Sequence, residues 1–195
     1  MTKNNTTRDD IIRIGTELVY RRGFKATGLD AILREAGVPK GSFYHYFKNK
    51  EEFGLALIDA FGTRFLAYID EHFAAKDLSP LERIRRHLAA FTQRMTDCGC
   101  EKGCLLGNIG QEMAALNEQF RIRLDGIFIQ WRDRLAVCVA DAQTQGEIAP
   151  SVDPAVVAEF IVSGWEGAIL RAKVTKSVQP MQTFMTVLFN QVLAR

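Results

Sequence analysis

Helix signals run through the whole chain and constrain its fold more than any other feature. Apolar residues return at intervals of three and four, and strand-like alternation is nearly absent. The first such stretch is announced by Thr6 or Thr7 as N-cap, with Asp9 or Asp10 three residues on. Ile11, Ile14 and Leu18 form its buried face, Ile12 and Val19 widen it, and Gly23 closes it. Arg21 and Arg22 fall in the last turn, where the helix dipole favours cations. The same grammar repeats to the end of the chain, so the fold class is all-α.

Two short helices follow. One starts at Thr27 as N-cap with Asp30 in the reciprocal position, buries Leu29, Ile32 and Leu33, and stops at Gly37. The next starts at Pro39 or Lys40 and runs to about Phe47, and a fourth helix is announced by Asn49 with Glu52 three residues on. Two short helices joined by Ala36-Gly37-Val38 have the spacing of a helix-turn-helix, whose tight turn needs a left-handed glycine. The third helix is then the reading helix. Phe43 and Phe47 lie four apart on its buried face, leaving Lys40, Ser42, Tyr44, His45 and Tyr46 for base edges and phosphates.

Charge agrees with that reading. The formal net charge of the 195 residues is only +2. Its distribution is more telling. Residues 1–60 hold 10 Lys+Arg against 8 Asp+Glu, and the remainder holds 15 of each. Between Arg21 and Lys50 stand Arg21, Arg22, Lys25, Arg34, Lys40, Lys48 and Lys50 against Asp30 and Glu35 alone. A local surplus of that kind suits an anion-binding face. No stretch has the roughly 18 to 20 apolar residues a membrane helix needs. The polar start MTKNNTTRDD lacks the apolar run of a secretory signal, so the expected location is the cytoplasm, with reduced thiols.

An enzyme is not expected. The three histidines, His45, His72 and His87, stand far from any cysteine in sequence, and no Gly-rich phosphate loop or H-E-x-x-H is present. No cofactor and no metal site are expected.

The run Ala26-Thr27 followed by Ala36-Gly37-Val38-Pro39-Lys40-Gly41-Ser42-Phe43-Tyr44-His45-Tyr46-Phe47-Lys48-Asn49-Lys50-Glu51-Glu52-Phe53 closely resembles the N-terminal domain of the TetR family of transcriptional repressors. The resemblance covers roughly residues 8 to 55. It implies an all-helical homodimer, with a helix-turn-helix DNA-binding domain at 1–50 and a helical regulatory and dimerisation domain at 51–195. It also implies a double-stranded DNA operator and a small-molecule inducer as partners. By position, Thr27, Tyr44 and Lys50 match phosphate-contacting residues, while Lys40, Ser42, His45 and Tyr46 lie where the family's reading helix meets the major groove. Lys50 also falls in the first turn of the fourth helix, where backbone N–H groups favour a phosphate.

The second domain is read from its own residues. Helices are expected from Ser79 to about Thr96, about Cys104 to Leu116, Glu118 to Gln145, Asp153 to Lys176, and Gln179 or Pro180 to about Ala194. The last two carry apolar stripes that include Val157, Phe160, Phe184 and Leu188, suited either to a four-helix bundle with a second copy or to the protomer's own core. A dimer is also what operator selection needs, since one short helix reads too few base pairs. Phe91, Phe128, Trp131 and Trp165 are aromatic candidates for a ligand-pocket wall, or plain core.

Three of the four cysteines, Cys98, Cys100 and Cys104, fall within seven residues. They are inert, or they hold a soft metal for which no fourth ligand is near in sequence, or one of them is a reactive thiol. Cys104 fits the last role, at the start of a helix and close to Lys102, both of which favour a thiolate. Gly103-Cys104-Leu105-Leu106-Gly107-Asn108 resembles the electrophile- and redox-sensing branch of the TetR family that contains the N-ethylmaleimide-responsive repressor. That resemblance implies Cys104 as the sensing thiol and Lys173, with Lys176 as the alternative, as its partner in the oxidised state. The extra thiols at Cys98 and Cys100 leave a disulfide open, and Cys138 reads as structural. The alternative is a repressor released by non-covalent binding of a small lipophilic ligand.

Overall fold

A computed structural model describes residues 3–194. Among the described residues the regular structure is all helical, with no strand. In chain order the helices are α1 (Lys3–Arg22), α2 (Leu29–Ala36), α3 (Lys40–Tyr46), α4 (Lys50–Phe73), α5 (Pro80–Asp97), α6 (Leu105–Met113), α7 (Glu118–Thr144), α8 (Pro154–Thr175) and α9 (Gln179–Val187). A π-helical turn, Leu188–Val192, ends the last helix. Among the described residues no helix is long and apolar enough to cross a membrane.

Most helix ends form where local chemistry puts them. Asn49 Oδ1 accepts the Glu52 N–H at 2.8 Å, and the Glu52 carboxylate reaches back to the Lys48 N–H at 2.8 Å. Ser79 caps α5 with Pro80 in its first turn, and Asp153 caps α8 through the N–H groups of Ala155 and Val156. Two starts differ from the sequence reading. Helix α1 begins at Lys3, upstream of the expected cap at Thr6 or Thr7. The N-cap of α2 is Gly28, not Thr27, because the Thr27 hydroxyl turns the other way and donates to the Gly23 carbonyl at 2.6 Å.

The chain divides into two compact units. The first comprises the chain up to Arg64 together with Leu105–Asp125. Within it α1 packs on α2, α3 and α6, and α2 packs on α3. Ile11, Ile32, Phe43, Phe47, Phe53, Leu57, Ile58 and Phe120 are among its fully enclosed side chains. Gly15 lets α1 approach α4: a Cβ there would meet the Phe53 ring at 2.3 Å.

The second unit comprises Phe65–Cys104 and the chain from Gly126 onward. Here α8 packs on α9, and α9 on α5. Gly164 admits the Phe184 ring of α9, whose edge would lie 2.4 Å from a Cβ. Trp131 and Trp165 are its largest enclosed side chains.

Candidate functional site

In the first unit, Gly37 closes α2 with φ +64 and turns the chain into α3, as a helix-turn-helix requires. Phe43 and Phe47 anchor α3 from below, packing tilted or edge-on against one another at 5.1 Å and against Phe53 at 5.8 and 5.4 Å. That anchoring aims the opposite face outward. Tyr44 is 52% exposed, and Lys40 and His45 are exposed while Ser42 and Tyr46 are half-buried. The His45 and Tyr46 rings meet edge to face at 4.8 Å, and Lys40 forms a long surface ion pair with Asp30 at 3.9 Å.

Thr27 and Lys50 sit differently. Both are drawn onto the turn between α1 and α2. Thr27 is fully buried, and Lys50 Nζ donates to the Lys25 carbonyl at 3.1 Å while lying over the Phe24 ring at 4.8 Å. Burial lowers the Lys50 pKa, against the opposing charges of Glu51 and Glu112. Glu112 of α6 completes the grip by accepting the Lys25 N–H at 3.0 Å.

In the second unit the cysteine loop is tightly wound. Gly99, Cys100 and Gly103 all have positive φ, at 59, 57 and 72°, and the Cys100 N–H donates to the Met95 carbonyl at 2.8 Å. Cys104, directly before α6, is 3% exposed, and its thiol donates to the carboxylate of Glu166 on α8. One helical face of α8 receives the loop. A Cβ on Gly103 would lie 2.7 Å from Lys173 Cδ and 3.4 Å from Ile169 Cγ2.

The two candidate lysines part company: Lys173 lies on Gly103, whereas Lys176, a left-handed C-cap at φ 52°, acts on Cys100. Burial raises the Cys100 thiol, the neighbouring Cys98 adds to this, and Lys176 opposes it. The Cys98 thiol donates to the Met95 carbonyl at 3.5 Å. Cys138 donates to the Pro80 carbonyl at 3.2 Å, and burial pushes it up to about 12. Among the described residues no three His, Cys, Asp or Glu side chains gather as a metal would require.

A family model described as bacterial regulatory proteins of the tetR family matches residues 11–57. A second, described as the tetracyclin repressor-like C-terminal domain, matches residues 80–188. The chain belongs to the TetR family. It is 45% identical over 174 residues to the transcriptional regulator AcuR of Cereibacter sphaeroides, covering 89% of this chain and 80% of that one. The repressor DhaR of a Mycobacterium species is 31% identical over 186 residues, covering 95% and 92%. The crystal structure of reduced Escherichia coli NemR, an HTH-type transcriptional repressor, superposes with a TM-score of 0.81 at 28% identity, covering 91% and 92%. TetR-family proteins are transcription regulators, not enzymes, and bind DNA operators as homodimers under small-molecule control.

Within this TetR-family chain the four aromatic candidates fall into two clusters. Phe91 and Trp165 meet at 6.1 Å, with Phe184 on Trp165 at 5.7 Å; Phe128 stacks on Trp131 at 6.2 Å, with Phe65 edge-on at 5.1 Å. A surface recess of about 320 Å³ is lined instead by Asp70, Phe73, Asp133, Arg134 and Val137. On α8 the outward apolar stripe is Val156, Phe160, Leu170 and Val174, and Phe184 stacks on Phe160 at 5.8 Å. Val157 and Leu188 point into the protomer, at 8% and 0% exposed.

Two acids with contacts here carried no expectation from the sequence, Glu112 and Glu166. Glu166 left a signal in the sequence, as the one charged residue between Phe160 and Leu170. Glu112 left none, because its partner lies 87 positions away.

Proposed function

We propose that this TetR-family regulator is a cytoplasmic, dimeric repressor released from a palindromic operator by covalent modification of Cys104. The head, residues 1–50, reads DNA through α3, with Lys40, Ser42, His45 and Tyr46 toward the major groove and Thr27, Tyr44 and Lys50 toward phosphates. Residues 51–195 carry the dimer and the sensor. Two reading helices roughly 34 to 36 Å apart then occupy successive major grooves.

The observation that carries the sensor reading is the position of the Cys104 thiol. It is buried on the α8 face that holds Lys173, and it directly precedes the helix whose Glu112 grips the turn at Lys25. An adduct on a thiol that is 3% exposed cannot fit without repacking, which costs about 1 to 3 kcal/mol or more. Residues 103–105 move, α6 follows, and the Glu112 contact is strained. A differential of about 3 to 4 kcal/mol lowers DNA affinity several-hundredfold. Lys173 is the nearby amine for a link to an oxidised sulfur, and Cys98 and Cys100 are the alternative disulfide partners. The superposed NemR structure is that of its reduced form, and a resemblance to a branch that reads redox state supports this reading.

The test is peptide mapping of the full-length protein at the lowest electrophile dose that releases operator DNA. The expected adduct is on Cys104; release with Cys104 unmodified contradicts the reading.

A second reading, release by a non-covalent lipophilic ligand, is favoured by one specific feature. The ring nitrogens of His87 and the indole N–H of Trp165 are buried without hydrogen-bond partners, and Phe91, Arg94 and Tyr68 connect them ring to ring. A ligand bound there quenches tryptophan fluorescence in a Cys104→Ser protein.

A further inference from the structure

We propose that Glu166 is the internal base of Cys104, accepting the thiol proton as the sulfur attacks an electron-poor alkene. This rests on the covalent reading above and names the group that makes its thiol reactive.

Glu166, Ile169 and Lys173 share one face of α8, at helical spacings of three and four. Gly103, next to Cys104, lies on that face, against Ile169 and the Lys173 stem. The thiolate is the nucleophilic form of a cysteine, so the proton must go somewhere. At 3% exposure, Cys104 has little water to give it to. Its thiol is instead hydrogen-bonded to the Glu166 carboxylate.

The second carboxyl oxygen, Oε1, is buried with no hydrogen-bond partner. A buried carboxylate with one bare oxygen is costly, and a proton relieves it. Burial accordingly pushes the Glu166 carboxyl up to about 7, with the Cys104 hydrogen bond pulling the other way. A base of that strength is matched to proton transfer at neutral pH.

The side-chain hydrogen bond that acts on the Glu166 carboxyl is that of Cys104. Helix α9 carries no titratable side chain. On helix α5 the charge of Arg94 helps to keep His87 neutral. The cysteine loop carries Cys98, Cys100, Glu101 and Lys102 besides Cys104, and α8 itself carries Glu159, Arg171 and Lys173.

The step balances without an oxidant. The thiol proton passes to the carboxylate, leaving a thiolate and a neutral acid. A sulfur lone pair forms the new C–S bond at the alkene's β-carbon, and the π pair moves to the α-carbon. That carbanion takes the proton from Glu166, which returns to a carboxylate. Thiol and alkene have become one thioether.

The test follows N-ethylmaleimide labelling of each cysteine in the full-length protein, resolved by peptide mass spectrometry, from about pH 5.5 to about pH 9. Wild-type Cys104 is expected to gain rate through a step near pH 7, where Glu166 ionises. Glu166→Gln keeps the shape and cannot take the proton. It should lose the step and label Cys104 at least about tenfold more slowly near neutral pH, while Glu166→Asp recovers part of the rate. An unchanged Cys98 rate shows the fold intact in each variant. Equal Cys104 rates and pH profiles in wild type and Glu166→Gln overturn the proposal. Should Glu166→Gln unfold, raising the Cys98 and Cys138 rates together, the wild-type profile decides, and absence of the step near pH 7 overturns it. Operator release is read in the same samples. Glu166-dependent labelling without release upholds the base and rejects the switch; release with labelling indifferent to Glu166 does the reverse.

Discussion

The Glu112 carboxylate of α6 accepts the Lys25 N–H at 3.0 Å, and its other oxygen occupies the space a Cβ on Gly23 would need. With Thr27 on the Gly23 carbonyl and Lys50 on the Lys25 carbonyl, the turn before α2 is held from three sides. Glu112→Ala should therefore lower unfolding stability by about 1 kcal/mol, the net worth of one partly exposed hydrogen bond. Gly23→Ala should cost more, about 1 to 2 kcal/mol from its φ of +83 alone. Denaturant unfolding measures both, and operator affinity should fall in parallel.

The exposed stripe on α8 makes a sharp distinction between neighbours. Phe160→Glu and Val174→Asp, at 45% and 66% exposed positions, should yield folded monomers that no longer bind operator. Val157→Ala should leave the dimer intact and destabilise the protomer by about 1 to 2 kcal/mol. Sedimentation and thermal unfolding separate the two outcomes.

On the DNA side, Lys50→Met should weaken binding about equally to all sequences and flatten the salt dependence by about one unit of slope. His45→Ala should instead relax preference at one operator position by about 1 to 3 kcal/mol. Competition binding with single-base operator variants distinguishes a phosphate contact from a base contact.

His87 is fully buried and neutral. Burial first, then the charges of His72 and Arg94, push it down to about 3 from an ordinary 6.5. Below pH 6.5 the unfolded chain takes up a proton that the folded chain refuses, so stability falls as pH drops through the window from 6.5 to about 3. The slope from this residue should approach about 1 kcal/mol per pH unit. His87→Phe should remove that part of the acid sensitivity, as urea unfolding at a series of pH values would register.

Local chemistry was legible in the sequence for most residues whose partner is a near neighbour. Asn49 with Glu52, Ser79 with Pro80, Asp153 and the left-handed Gly37 all act within a few residues, and each stands where its spacing put it. Thr27 misled because its hydroxyl had two local options, to accept from the first N–H groups of α2 or to donate to the Gly23 carbonyl, and the carbonyl won. Periodicity left the apolar stripes of α8 and α9 open between a second copy and the protomer's own core because α8 is apolar on nearly all sides; Phe160 faces outward, while Val157 and Leu188 face in. Glu112 and Glu166 escaped notice because their roles depend on backbone and thiol groups brought close only by the fold.

The central claim is that the state of one sulfur sets DNA affinity. Operator binding by the full-length dimer should be measured before and after about one equivalent of N-ethylmaleimide per chain, with Cys104→Ser alongside. The account predicts release of the wild type and continued binding by the variant. Retention of DNA by both proteins, or release of both, contradicts it.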